Sequence, residues 1–299
     1  MQFHSLKIEP EDGPVLTGWC TKQGHKSVLF FAHGNGFCGR VYQPVLELLA
    51  QKYDLLMFDI PGHGRTPEAD FSGWNKTAEH LWYGIQSAGE VIKNRDLHAV
   101  GHSLGGMLSI LMASERPETF KSMVLLDPII FPQPLLFFLH IVRKSGLTGV
   151  FHPYVKSTLR RRNSWADRRE AFRYFHKRKI FKDWTDQSLE SYVQHALVEK
   201  DMQVQLCCDP KLEAQWFSSL PDELWPSVKG LAVPVSIYMG NDTYPFSLRA
   251  GRQAKRINTA IDFNIVPGGH CFMQEHPSDA ADYVFKALEK QKARAGSEY

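Results

Sequence analysis

The chain has no CxxC pair among its five cysteines, Cys20, Cys38, Cys207, Cys208 and Cys271. Their odd number and scattered spacing exclude a disulfide framework or a zinc site as the organising device, and a reducing, cytoplasmic setting is the simplest expectation. No apolar segment reaches the ~20 residues that a membrane span requires. The N-terminal stretch to Pro14 carries Glu9, Glu11 and Asp12 and no apolar run behind a basic one, so no secretory signal is expected. Internal repeats and low-complexity tracts are also missing, which excludes solenoids and disordered arrays. No recognised nucleic-acid-binding motif accompanies the basic residues, so no nucleic acid is expected as a partner.

What is present is the composition of an ordinary globular protein, 43% hydrophobic and 22% charged over 299 residues. That length suits one large α/β domain carrying an insertion, or two small domains. The net charge of +3 hides an uneven distribution. Arg143 to Lys182 holds 13 Lys or Arg against Asp167 and Glu170, a local +11, which leaves the remainder at about −8.

Strand and helix patterns alternate along most of the chain. Phe3 to Ile8 and Val15 to Cys20 read as an opening hairpin, and Val28 to Ala32, Leu55 to Phe58, Leu97 to Val100 and Met123 to Leu126 as buried strands. Helical patterns lie between them, one beginning near Pro44 and one over Thr77 to Ile92. The alternation stops after Asp127-Pro128 and resumes with a strand over Pro234 to Met239, a helix over Phe246 to Ile257, a strand over Phe263 to Val266 and a helix over Ser278 to Lys290. The last residues, Ala293 to Tyr299, are expected to fray. This order predicts a mostly parallel central sheet with helices on both faces, built from residues 1–128 and 229–299. Residues 129–228 show no strand signal and are expected to form a mainly helical insertion.

Gly101-His102-Ser103-Leu104-Gly105 sits where the Leu97–Val100 strand meets a helical pattern over Met107 to Ser114. A serine on such a strand-to-helix turn has its hydroxyl pushed clear of the sheet, and glycine two residues either side avoids a Cβ in the crowded turn. A plain capping serine fits the same pentapeptide. A hydroxyl nucleophile needs a base, and the base an orienting carboxylate. His270 follows the last strand in Gly268-Gly269-His270, and Asp242 follows the strand before it. Both fall at the edge of a parallel sheet that carries Ser103. His33, His63, His102 and His276 are rivals for the base. For the acid, Asp127 also ends a strand at that edge, but the loop of Asp242, beside the last strand, is the better placed to grip His270, so Asp242 is preferred.

Gly34, Gly36 and Gly39 form a G-x-G-x-x-G loop behind a strand, and Asp59 ends the next strand, the paper pattern of a dinucleotide site. That motif needs a helix to begin inside the glycine loop, whereas Pro44 places the start several residues later. An NAD(P)-linked reading also leaves Ser103, Asp242 and His270 without a purpose. No cofactor and no metal are expected.

These motifs together resemble the α/β-hydrolase superfamily, and the likeness covers nearly all of the chain outside the insertion. His33-Gly34-Asn35-Gly36 resembles the oxyanion loop, Asp59 to Thr66 the DxxGxGxS segment with Thr66 for the usual serine, and Gly101 to Gly105 the nucleophile turn. The resemblance implies Ser103 as nucleophile, His270 as base, Asp242 as acid, and the backbone N–H groups of Asn35 and Leu104 as oxyanion donors. It also implies cleavage of a carboxylic ester, thioester or lactone through an acyl-enzyme, with a carbon–carbon bond beside a carbonyl as a variation. The hydroxyl nucleophile sets the chain apart from the carboxylate-dependent dehalogenases and epoxide hydrolases of this fold. A non-catalytic binding protein on the same scaffold is the competing class, although no member of the site is missing.

The insertion is expected to cover the site as a cap. Ile130 to Phe138 is apolar, suiting either packing onto the sheet or the wall of an acyl pocket. The basic run Arg160 to Arg162, Arg168-Arg169, Arg173 and Lys177 to Lys179 suits a solvated helix face. The alternative to that more usual role is attraction of an anionic or lipid-like small-molecule acyl substrate, or peripheral contact with an anionic membrane surface.

Overall fold

The computed structural model describes residues 2–67, 70–144 and 153–296. The opening hairpin forms between β1 (His4–Ile8) and β2 (Leu16–Cys20). β3 (Ser27–Ala32), α1 (Gln43–Leu49), β4 (Asp54–Phe58), α2 (Trp74–Ser87), α3 (Gly89–Ile92), β5 (Asp96–His102), α4 (Leu104–Glu115) and β6 (Ser122–Leu126) follow. The insertion carries α5 (Gln133–Lys144), α6 (Pro153–Leu159), β7 (Ser164–Trp165), α7 (Arg168–His176), α8 (Asp186–His195), β8 (Leu197–Lys200), β9 (Gln203–Leu206) and α9 (Pro210–Ser218). The chain then runs through α10 (Leu224–Gly230), β10 (Val235–Gly240), α11 (Pro245–Ile257), β11 (Ile261–Val266), α12 (Phe272–Glu275) and α13 (Pro277–Gly296). The final helix thus continues through residues expected to fray, while 297–299 lie outside the described residues.

The eight-stranded sheet has the order β1-β2-β4-β3-β5-β6-β10-β11. β1 and β2 are antiparallel to their neighbours, and all the other pairs are parallel. Continuous apolar strands such as Ser27–Ala32 and Asp54–Phe58 are what such a sheet demands, because both of its faces are covered. On one face Leu81, Leu108, Val228 and Ala250 come from α2, α4, α10 and α11; on the other Val45 and Leu46 from α1 meet Ala280 and Val284 from α13. Full burial of one such leucine or valine side chain is worth about 1.5–3 kcal/mol. Helix α10 packs on α4 and α11, so the chain has rejoined the core layer before residue 229.

The insertion is not purely helical. β7, β9 and β8 form a small antiparallel sheet whose β8–β9 turn is made by Asp201 and Met202, both at positive φ. In the same insertion Phe175, Phe181, Trp184 and Tyr192 pack ring against ring, with centroids 4.8–6.1 Å apart. This cluster is continuous with the core on the sheet face that carries α1.

Candidate active site

Ser103 lies between the end of β5 and the first turn of α4 with φ +51° and ψ −115°, a conformation few side chains adopt. The turn closes because the flanking glycines have no Cβ. One on Gly105 would stand 2.2 Å from the Ala32 carbonyl oxygen, and one on Gly101 2.7 Å from that of Gly105. Although Ser103 occupies the N-cap position, its hydroxyl makes no capping bond. It lies instead 3.0 Å from Nε2 of His270.

His270 Nδ1 donates to Oδ1 of Asp127 at 2.8 Å. A carboxylate only accepts, so this bond places the ring proton on Nδ1 and leaves Nε2 as acceptor for the Ser103 hydroxyl. Asp127 follows β6 at φ +45°, fully buried, and also accepts from Thr243 Oγ1 at 2.7 Å and from the Gly240 N–H at 2.9 Å. The carboxylate that meets His270 is therefore Asp127 and not Asp242, the residue expected from the sequence. Asp242 is exposed, and its own backbone N–H bonds the Gly268 carbonyl, while the next residue, Thr243, turns inward to Asp127. The reason is sheet order: β6 lies directly beside β5, whose end carries Ser103, so a side chain at the end of β6 stands one strand from the nucleophile, whereas the loop of Asp242 follows β10, two strands away. The signal available in the sequence was Asp127-Pro128 closing a strand; nothing in it pointed to Thr243.

Of the rival histidines, His276 is exposed, and His33, His63 and His102 have structural partners. His33 Nε2 accepts the Ile60 N–H at 2.9 Å, so its Nδ1 donates to the Gly34 carbonyl. His63 Nε2 lies 3.3 Å from Asn35 Oδ1. Both are fully buried, and burial pushes His33 down to about 4 and His63 to about 3. His102 is also buried and held well below the usual histidine range, first by burial and then by the neighbouring His270. Its Nε2–H donates to the backbone carbonyl of His270 at 3.0 Å, so its Nδ1 accepts the Tyr42 hydroxyl at 2.6 Å. Tyr42 in turn accepts the Gly34 N–H at 3.0 Å. One buried relay thus ties the glycine loop after β3 to the loop that carries His270. Nothing in the sequence marked Tyr42 for this position.

The first turn of α4 supplies backbone N–H groups without helical acceptors, Leu104 among them, with the positive end of the helix dipole beside Ser103. Asn35 and Leu104 line the same cavity as Ser103 and His270, which has a volume of about 780 Å³. Asn35 is held by its side-chain amide, which donates to the Glu213 carbonyl at 3.2 Å. The Glu213 carboxylate abuts Gly36 and pairs with Arg161, whose Nη1 donates to Oε1 at 2.9 Å while Nη2 meets Oε2. The rest of the lining is largely aromatic, including Phe37, Phe131, Tyr192 and Trp216.

No α-helix opens at the glycines of the Gly34–Gly39 loop. A short 3-10 turn spans Gly39–Tyr42, and α1 begins at Gln43. Asp59, the other half of the dinucleotide pattern, is buried and accepts the N–H groups of Gly39 and Arg65 at 2.8 and 3.0 Å, so it braces this loop. Among the described residues no group of three or more His, Cys, Asp or Glu side chains could hold a metal ion. No described helix is long and apolar enough to cross a membrane.

Comparison with known proteins agrees with this architecture. Residues 29–282 match the model of the alpha/beta hydrolase family. The chain is 31% identical to monoglyceride lipase of Rattus norvegicus over 121 residues, 39% of each protein. It is 29% identical to a pimeloyl-[acyl-carrier protein] methyl ester esterase of Legionella pneumophila (strain Lens) over 102 residues, 34% of this chain and 37% of that one. These alignments span well under half the length of either relative. Over 96% of the chain, the fold superposes on the whole of E-2-(acetamidomethylene)succinate hydrolase with a TM-score of 0.77 at 18% identity. A match running from β3 into the last helix, on a sheet of this order, means that the chain belongs to the alpha/beta hydrolase family.

Proposed function

We propose that this protein is a serine hydrolase that cleaves a carboxylic ester or thioester through an acyl-enzyme. The observation that carries the reading is the continuous hydrogen-bond chain from Ser103 Oγ through His270 to Asp127, set in the wall of a large, mostly aromatic cavity. Similarity to proteins named as a lipase and a methyl ester esterase supports it.

In this reading Ser103 Oγ attacks the carbonyl carbon as its proton passes to His270 Nε2. Asp127 keeps the ring in the Nδ1–H form and stabilises the imidazolium that results. The N–H groups of Asn35 and Leu104 take up the charge on the former carbonyl oxygen, a contribution of about 3–4 kcal/mol per donor in comparable sites. Collapse of the tetrahedral intermediate breaks the bond to the alkoxide or thiolate, which leaves with the proton from His270 Nε2. A water then gives a proton to Nε2 and attacks the acyl carbon, and the second collapse returns that proton to Ser103 and frees the acid. The insertion acts as a cap that encloses the acyl group, with Asn35 held against it through Glu213.

The test is labelling with a fluorophosphonate, which reacts only with an activated serine. The native protein is expected to be labelled and to hydrolyse 4-nitrophenyl esters, and Ser103→Ala to lose both while keeping its melting temperature. Hydrolysis that survives Ser103→Ala refutes the mechanism.

A further inference from the structure

The basic segment of the insertion divides once its partners are known. Four arginines line the cavity: Arg160, Arg161, Arg162 and Arg178. Glu213, the one acidic side chain among the described lining residues, is engaged with Arg161. Arg162 donates to Glu170 at 2.8 Å. Arg160 and Arg178 have no acidic partner among the described residues, and both are exposed where they line the cavity, which places them at its mouth. The Arg178 guanidinium is steadied by the Tyr174 ring, whose centroid lies 4.1 Å away. Such stacking fixes the plane of the fork and leaves its N–H edges free.

A cationic rim over an aromatic interior suits a particular kind of molecule. The low-dielectric walls concentrate the field of the two arginines at the opening, and a guanidinium binds a carboxylate or phosphate through paired N–H donors. An apolar chain fills the interior, while a charged end would be stripped of water there without a partner.

We propose that Arg160 and Arg178 form a subsite for an anionic group of the substrate, so that the preferred ester or thioester carries an apolar part for the cavity and a carboxylate or phosphate for its mouth. The inference rests on the proposed hydrolase reading, since it names which esters that site takes. Arg173, in the same segment, lies outside the cavity and has no part in it.

Two matched pairs of soluble substrates test it. One places the charge on the leaving group, as hexanoate esters of 4-hydroxybenzoate and of 4-hydroxybenzamide. The other places it on the acyl chain, as 4-nitrophenyl pentanoate and the mono-4-nitrophenyl ester of glutaric acid. The native protein is expected to favour the anionic member of at least one pair about tenfold in kcat/KM, the range of one charge-assisted contact. The Arg160→Gln, Arg178→Gln double variant is expected to bring that ratio close to one. Because the ratio compares two substrates on one preparation, partial unfolding does not mimic the result. Arg173→Gln with Lys177→Gln, which removes the same charge outside the cavity, is expected to leave the preference in place.

No preference in either pair, its survival in the double variant, or its equal loss in the Arg173 and Lys177 control overturns the proposal. So does a result in which the two arginines govern only co-sedimentation with phosphatidylglycerol vesicles and not the soluble esters. Failure of the underlying hydrolase reading is distinguishable, because the neutral esters would then also go uncleaved and Ser103 unlabelled.

Discussion

Exchanging Asp127 for asparagine keeps the shape of the site and reverses one proton. The carboxylate accepts from His270 Nδ1, from Thr243 Oγ1 and from the Gly240 N–H. An asparagine amide can turn its oxygen to the Gly240 N–H, but its NH2 then faces Thr243 and His270. His270 Nδ1 must become the acceptor, the ring proton moves to Nε2, and Nε2 points at Ser103 as a donor that cannot take the hydroxyl proton. A wrong tautomer of this kind costs about 10⁴-fold in kcat in the comparable serine protease site, or about 5.5 kcal/mol of transition-state stabilisation. Stability changes far less, since each buried group keeps a partner. Asp127→Asn is therefore expected to fold, to lose roughly 10³–10⁴ in kcat against 4-nitrophenyl butyrate, and to label slowly with fluorophosphonate. Asp242→Asn changes an exposed side chain and is expected to alter stability by less than about 0.5 kcal/mol and to leave the rate alone. If Asp242→Asn loses as much as Asp127→Asn, or if Asp127→Asn keeps a tenth of the native rate, the assignment of the acid fails.

Three further outcomes follow from the same geometry. Tyr42→Phe leaves the Gly34 N–H and His102 Nδ1 without their partner, at about 1–3 kcal/mol for each buried group; urea unfolding should show that loss, with kcat lowered because Asn35 follows directly on Gly34. Gly105→Ala drives a Cβ to 2.2 Å from the Ala32 carbonyl oxygen, so the turn must shift; melting temperature and fluorophosphonate labelling should both fall, and full labelling would show that the turn does not depend on this approach. Acid should destabilise the fold: His33, His63 and His102 are held below the ordinary histidine value by burial, so in the window from about pH 6.5 down to about 4 the unfolded chain binds more protons and stability falls with pH. His195, lowered to about 4 mainly by burial, adds to this effect, whereas Asp59, which burial pushes up to about 6, and Glu213, which burial also raises, act in the opposite sense. Unfolding free energies that stay level between pH 6 and pH 5 would contradict this.

The parallel part of the sheet was legible because each strand is a short apolar run that must be covered on both faces, and β3, β4, β5 and β6 fall within two residues of where those runs place them. Ser103 and His270 were legible for a local reason, as each sits in a glycine-bounded turn at a strand end. The carboxylate that bonds His270 was not, since choosing between Asp127 and Asp242 requires knowing that β6 lies between β5 and β10, the latter a pairing across the entire insertion. The small sheet of the insertion escaped for a different reason. β8 presents Val198, Glu199 and Lys200 to solvent, β7 is two residues long, and Asp201 and Met202 enter a positive-φ turn without the usual Asn-Gly or Asp-Gly signal.

The placement of Asp127 at the end of β6 has a consequence for the order in which the chain is made. By the time residue 128 has left the ribosome, the growing polypeptide already holds Ser103, Leu104, Asn35 and Asp127, but His270 belongs to a stretch that must still be synthesised behind the whole insertion. Until β10 and β11 dock beside β6, the hydroxyl has no base and the carboxylate no ring to hold. In the proposed mechanism the nascent protein therefore passes through biosynthesis with a latent serine, which gains its base only when the last two strands complete the sheet.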